Sequence, residues 1–260
     1  MLALFKSAPL VDEQEQQWLI DTFLWAVEHF DSEYFLKHTQ IILPNGQFFP
    51  DRVSSVSEMA EKVFSRVVDY AGMQAWPINL VAPSGLTPQV FPHFEFQDNL
   101  RGSEASLIVP ANHPVNISFN PNQINQPQDL VASFAGTLAT ILIHHVGVLP
   151  PGGKEYLPQA LDALACYLGF GVTMSNTVSQ FKGGCGCGYN PYANRQAALT
   201  EPQTLFMHAL VTHFKGDNQS KKFLKPHLRS QYKKAQKQIK ALVSDSANPL
   251  LLALDEQAVG

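Results

Sequence analysis

Apolar residues recur at helical spacing toward both ends of this chain and at strand spacing in its middle. Residues 11–30 space Trp18, Phe23, Ala26 and Phe30 along one helix, whose N-terminal turn suits Asp12, Glu13 and Glu15. Residues 54–70 place Met59, Val63, Val67 and Tyr70 on one face of a second helix, and Pro44, Gly46 and Pro50 break the chain between the two. The texture then changes. Residues 78–81, 90–96, 105–109 and 115–119 are short β-prone runs separated by proline, glycine and asparagine. Helical patterning returns over 129–145, about 156–172, 201–214 and 221–243. No internal repeat is present. Helices, a cluster of strands and helices again predict an α+β fold in one domain over residues 1–244, with 245–260 as a loosely held tail.

The stretch from Val115 to Val172 carries the most information. It reads strand, polar turn, helix, loop, helix, with Pro127 suited to the first turn of the first helix and Gly147 to its exit. Thr140 and His144 lie four apart and share a face of that helix. Asp162, on the second helix, sits among Pro158, Leu161, Ala163, Ala165 and Cys166. A carboxylate in such company points inward and needs a partner. His144, on the preceding helix, is one candidate; the backbone is another.

These residues resemble the active-site segment of an uncharacterised bacterial family of zincin-like metallopeptidases. In that family an edge strand leads into a helix bearing H-E-x-x-H. A second helix supplies an acidic third ligand just before an A-x-Y-L-G-x-G stretch. Here Ala165 to Gly171, ACYLGFG, matches that stretch and Asp162 stands at the acidic position; the resemblance spans roughly residues 55–240. It implies a zincin-like fold, a small mixed sheet packed against two central helices with further helices at both ends. The motif itself has been lost. Thr140 stands where the first histidine ligand belongs and Ile141 where the catalytic glutamate belongs.

That loss decides the expected chemistry. A catalytic zinc takes three protein ligands and an open position for water, and the glutamate accepts that water's proton. A threonine hydroxyl is a poor ligand that tends to bond back to its own helix, and isoleucine accepts no proton. The reading is a catalytically inactive scaffold without catalytic or metal-binding residues, without a cofactor, and serving as a binding or structural module. Thr140 and Ile141 are then the degenerate catalytic positions, and His144, His145, Glu155 and Asp162 mark a vestigial cleft, with His144 and Asp162 the ligands if any metal were held. One alternative is an active metallohydrolase with relocated ligands, drawing on His144 and Asp162 with help from His113, Glu155 or a cysteine.

Composition narrows the partners. A net charge of −4 gives no general attraction to nucleic acid or anionic lipid, and no uninterrupted apolar run approaches the roughly 18 residues of a membrane span. The N-terminal apolar run is too short for a secretory signal, and Cys166, Cys185 and Cys187 form no disulfide framework, so a cytoplasmic setting is expected. Cys185 and Cys187 read as free thiols in a glycine loop, since C-x-C lacks the spacing of a zinc site. Residues 215–240 hold nine Lys or Arg against Asp217 alone, while residues 11–33 hold seven acids and no Lys or Arg. The basic face reads as solvated or matched internally; the alternative is an interaction surface for an anionic partner.

Overall fold

The computed structural model describes residues 8–109, 113–178 and 192–259. Helices α1 (Glu13–His29), α2 (Ser32–Lys37) and α3 (Val56–Ala71) come first. Strands β1 (Ile78–Leu80), β2 (Glu95–Gln97), β3 (Ser106–Val109) and β4 (Val115–Ile117) follow. Then come α4 (Pro127–Val146), α5 (Leu157–Ala165), α6 (Gly171–Val178), α7 (Glu201–Phe214), α8 (Leu228–Ser244) and α9 (Pro249–Val259). The fold mixes helices with a little sheet, as the α+β reading requires.

Helix ends follow the local chemistry. Asp12 and Glu15 form a reciprocal capping box on α1, and Thr200 and Gln203 form another on α7. Pro127 opens α4 and Gly147, at φ 70°, closes it.

The sheet differs from expectation. The strands form two separate ladders: β1 and β4 pair in parallel, and β2 and β3 pair antiparallel with a bulge. No single mixed sheet exists among the described residues. The run at 90–96 becomes strand only from Glu95, because Pro88 and Pro92 carry no N–H to donate to a ladder.

The core is built around α4. Leu130, Ala132, Ala135, Leu138 and Leu142 are fully buried, and α3, α5 and α6 pack on this helix. Among the described helices, α4 is the one long and apolar enough to cross a membrane, but most of it is buried inside protein.

The expected second central helix is interrupted. After α5 the chain makes a π-helical turn, Cys166–Phe170, within which Gly169 adopts φ 104°. Its carbonyl accepts from Ile42 N–H at 2.9 Å, and a Cβ at this position would overlap the Gln40 carbonyl oxygen. Tyr167 stacks on Phe35 with ring centroids 4.4 Å apart and donates its hydroxyl to the Phe30 carbonyl at 3.2 Å. The ACYLGFG stretch is thus a packing device that lets the 39–42 segment lie against the helix.

Arg101 holds the same region together from a loop. Its side chain is 1% exposed, and it donates to the Ala71 carbonyl at 2.8 Å, Thr39 Oγ1 at 3.0 Å and the Phe30 carbonyl at 3.4 Å. Two of these acceptors are carbonyls at the C-terminal ends of α1 and α3, where a cation is favoured. Lys215 does the same for α2, donating to the Phe35 and Leu36 carbonyls at 2.7 and 2.6 Å. Burial, with Arg101 as a second cation nearby, brings the Lys215 ammonium down to about 8.

The basic segment is not one helix from 221. A 3₁₀ turn, Ser220–Phe223, precedes α8, whose stripe Leu228, Tyr232, Ala235, Ile239 and Val243 is buried. The segment after Ser244 is not loosely held: within α9, Leu251 and Leu254 are buried, and Asp255 Oδ1 lies 2.9 Å from His213 Nε2.

His208, on α7, is fully buried and stacked on Tyr232, and neither ring nitrogen finds a partner among the described residues. Burial drives its imidazolium down to about 4, opposed weakly by Asp217. A histidine held neutral in the fold but free to charge when unfolded makes the unfolded state the better proton binder between pH 6.5 and 4. Stability should therefore fall as pH drops through that window, reaching a loss of about 3 kcal/mol by pH 4 from this residue. Urea titrations of the unmodified chain and His208→Phe across pH 4–7 check this. The variant's stability should be flatter with pH; parallel curves would contradict it.

Candidate functional site

A cleft of about 490 Å³ opens where the chain leaves β4 and passes α4. One wall is Ser118, Phe119 and Asn120. The other is the stripe Ser133, Gly136, Thr137 and Thr140 of α4, and the floor is Asp162 with Arg195. Helical spacing places the four α4 positions on one face. Ile141 turns away from them into the core, where it is 3% exposed.

The two threonine hydroxyls of this cleft are committed as donors to their own helix. Thr137 Oγ1 donates to the Ser133 carbonyl at 3.0 Å, and Thr140 Oγ1 to the Gly136 carbonyl at 2.9 Å. Their oxygens remain as acceptors. Gln123 Nε2 donates to Ser133 Oγ at 3.0 Å, while Gln123 Oε1 is buried with no partner among the described residues. The cleft wall therefore favours a ligand that donates hydrogen bonds.

Asp162 has the partner its surroundings demanded, though it is not His144. Its Oδ1 accepts from Arg195 Nη1 at 2.6 Å, and its Oδ2 accepts from the backbone N–H groups of Ala198 and Leu199 at 2.8 and 3.0 Å. Arg195 also donates to Thr177 Oγ1 at 3.2 Å and Met174 O at 3.4 Å, and its backbone N–H donates to Asp129 Oδ1 at 2.8 Å. The carboxylate ties α5 to the chain entering α7.

The remaining predicted residues lie apart. His144 is exposed at the end of α4 and stacks on Phe91, ring centroids 5.5 Å apart. His145 is half-buried against Trp76 at 5.0 Å and Phe96 at 5.5 Å, and burial, aided by His93, pushes its imidazolium below the usual range. Glu155 is exposed in the turn before α5, and His113 is exposed before β4. Of the expected vestigial cleft, Asp162 alone lines this cavity, together with the degenerate position Thr140. Ile141 is core, and His144, His145 and Glu155 do not line that cavity. Cys185 and Cys187 lie outside the described residues. Burial pushes the Cys166 thiol well up, so it is no nucleophile at neutral pH.

These donors do not fit a zinc ion. Thr140 is bonded to its helix, Ile141 offers no atom, and Asp162 is saturated by a guanidinium and two amides. Among the described residues no three His, Cys, Asp or Glu side chains are grouped to hold a metal. The relocated-ligand alternative therefore lacks a ligand set there.

The basic face is wet. Lys233, Lys234, Lys237 and Lys240 are exposed, and among the described residues none pairs with an acid of residues 11–33. Contact between the two regions is made by Gln238, bonded to Leu10, Val11 and Gln16.

Sequence reasoning found Asp162 but missed Arg195 and Arg101. Both sit in loops without periodicity. For Arg195 the available signal was an arginine among small and amide residues with no acid near it in sequence; Arg101, with Asp98 and Glu104 three residues to either side, gave no such signal. No protein-family model, no curated protein and no solved structure matches the chain.

Proposed function

We propose that the chain is a zincin-like pseudoenzyme, a module that holds an extended polypeptide segment between β4 and α4 and leaves it intact. The observation carrying this reading is the cleft itself. The position of the lost first ligand, Thr140, and the acidic position, Asp162, line one cavity beside the end of a strand, yet neither is available to a metal. What such a cleft retains without its chemistry is recognition. An extended chain offers N–H donors at regular spacing to a wall of acceptors, and the outer edge of β4, on which no strand lies among the described residues, supports the same mode through backbone pairing.

Gly136 provides the test. It lines the cavity, and a Cβ there meets nothing within 4 Å. Glycine inside a helix costs about 0.5–1 kcal/mol relative to alanine, so Gly136→Ala should stabilise the fold and Gly136→Trp should fill the cleft without unfolding it. Peptides selected on the unmodified chain from a random display library should bind Gly136→Trp at least tenfold more weakly. They should emerge uncleaved from incubation with the chain and zinc. Equal binding to both forms would place recognition elsewhere.

A further inference from the structure

The segment between β1 and β2 runs along the outer edge of β4. Val115 and Ile117 spend their peptide groups on the β1 side: Val115 N–H donates to the Pro77 carbonyl and Val81 N–H to the Ile117 carbonyl, both at 2.8 Å. The two-residue repeat of a strand turns the N–H and C=O of Asn116 the other way, to an edge where no strand lies among the described residues.

Both groups are nevertheless paired. Asn116 N–H donates to Gln89 Oε1 at 3.0 Å, and Gln89 Nε2 donates to the Asn116 carbonyl. A carboxamide carries the same donor and acceptor as a peptide unit, so Gln89 fills one rung that an added strand would use. The backbone around it is poorly suited to add more, since Pro88 and Pro92 have no N–H.

The hold is light. Among the described residues, the hydrogen bonds from 87–92 to the rest of the protein are those of Gln89 alone, and Val90 is 92% exposed. The anchor lies at one end, where Phe91 stacks on His144 and Phe94 is buried beside Phe91 and Trp76. Directly after β4, Ser118 and Asn120 line the α4 cleft.

We propose that residues 86–93 are a displaceable strap: Gln89 occupies the outer edge of β4 in place of a strand, and an extended polypeptide entering the cleft must remove it. This is regulation of the cleft described above and rests on that reading. The strap competes with any incoming strand through two hydrogen bonds. Removing them should raise the affinity of a strand-forming ligand by roughly 10- to 30-fold.

The test uses the full chain and Gln89→Ala, a change at an exposed position. The probe is a synthetic ten-residue peptide of residues 85–94 carrying Pro88→Thr and Pro92→Thr, so that its backbone can pair. Amide hydrogen exchange is read at Asn116 and Ser118. Asn116 should exchange at least tenfold faster in Gln89→Ala. The peptide should slow it again, at concentrations 10- to 30-fold lower than the unmodified chain requires. Unchanged Asn116 exchange in the variant would overturn the strap while leaving the cleft reading standing. Faster exchange that the peptide cannot reverse at millimolar concentration would show that the edge accepts no strand, and would remove both.

Discussion

Replacing Gly169 with alanine is expected to cost about 3–5 kcal/mol of folding stability. Two penalties add. The residue sits at φ 104°, ψ −3°, where a side chain is strained, and its Cβ would overlap the Gln40 carbonyl oxygen. That oxygen belongs to backbone fixed next door by the Ile42 N–H to Gly169 carbonyl bond, so it cannot swing aside as a side chain would. Gly171 offers the contrast. There an added Cβ meets the buried His208 ring rather than backbone, and the Gly171 backbone is ordinary helix, so the positive-φ strain is absent. Gly171→Ala should therefore cost less than Gly169→Ala. Urea unfolding of both variants checks the order, and a Gly169→Ala cost below about 1 kcal/mol would contradict the packing account.

Asp162→Ala is expected to cost about 3–5 kcal/mol, without any metal being involved. The substitution leaves the buried Arg195 guanidinium without its carboxylate and strips the Ala198 and Leu199 amides of their acceptor. Both changes break the same buried ion pair, so Asp162→Ala with Arg195→Ala should cost less than the sum of the single changes. Strict additivity would mean that the two side chains do not act together. A loss reversed by added zinc would mean that Asp162 is a ligand after all.

The helices were largely legible, because their ends carry local chemistry: Asp12 with Glu15, Pro127, Gly147, Thr200 with Gln203. The strands were legible as β-prone runs but not as a sheet. Their pairing depends on contacts distant in sequence, and Pro88 and Pro92 removed donors that a composition count overlooks. The break at Gly169 was hidden because both flanking segments are helical and apolar, and the cause of the break is the Gln40 carbonyl, far away in the chain. At the site, inward burial of Asp162 followed from its small neighbours. Backbone groups were among its candidate partners, and the Ala198 and Leu199 amides are two of them; Arg195 was not foreseen, because it lies beyond a glycine-rich stretch whose path the sequence does not reveal. His144 was the other candidate partner, on the strength of adjacent helices. The aromatic ring of Phe91 gave it a different neighbour, at the exposed end of α4.

The cleft between β4 and α4 is proposed above to be the remnant of a zincin site without its metal, and zinc content after equilibrium dialysis tests that proposal most directly. The untagged chain and His144→Ala, a change at an exposed residue, are dialysed against micromolar zinc and measured by mass spectrometry. Any zinc retained should be the same in both, since an incomplete ligand set binds the metal weakly. One equivalent of zinc held by the unmodified chain and lost in His144→Ala would contradict the account.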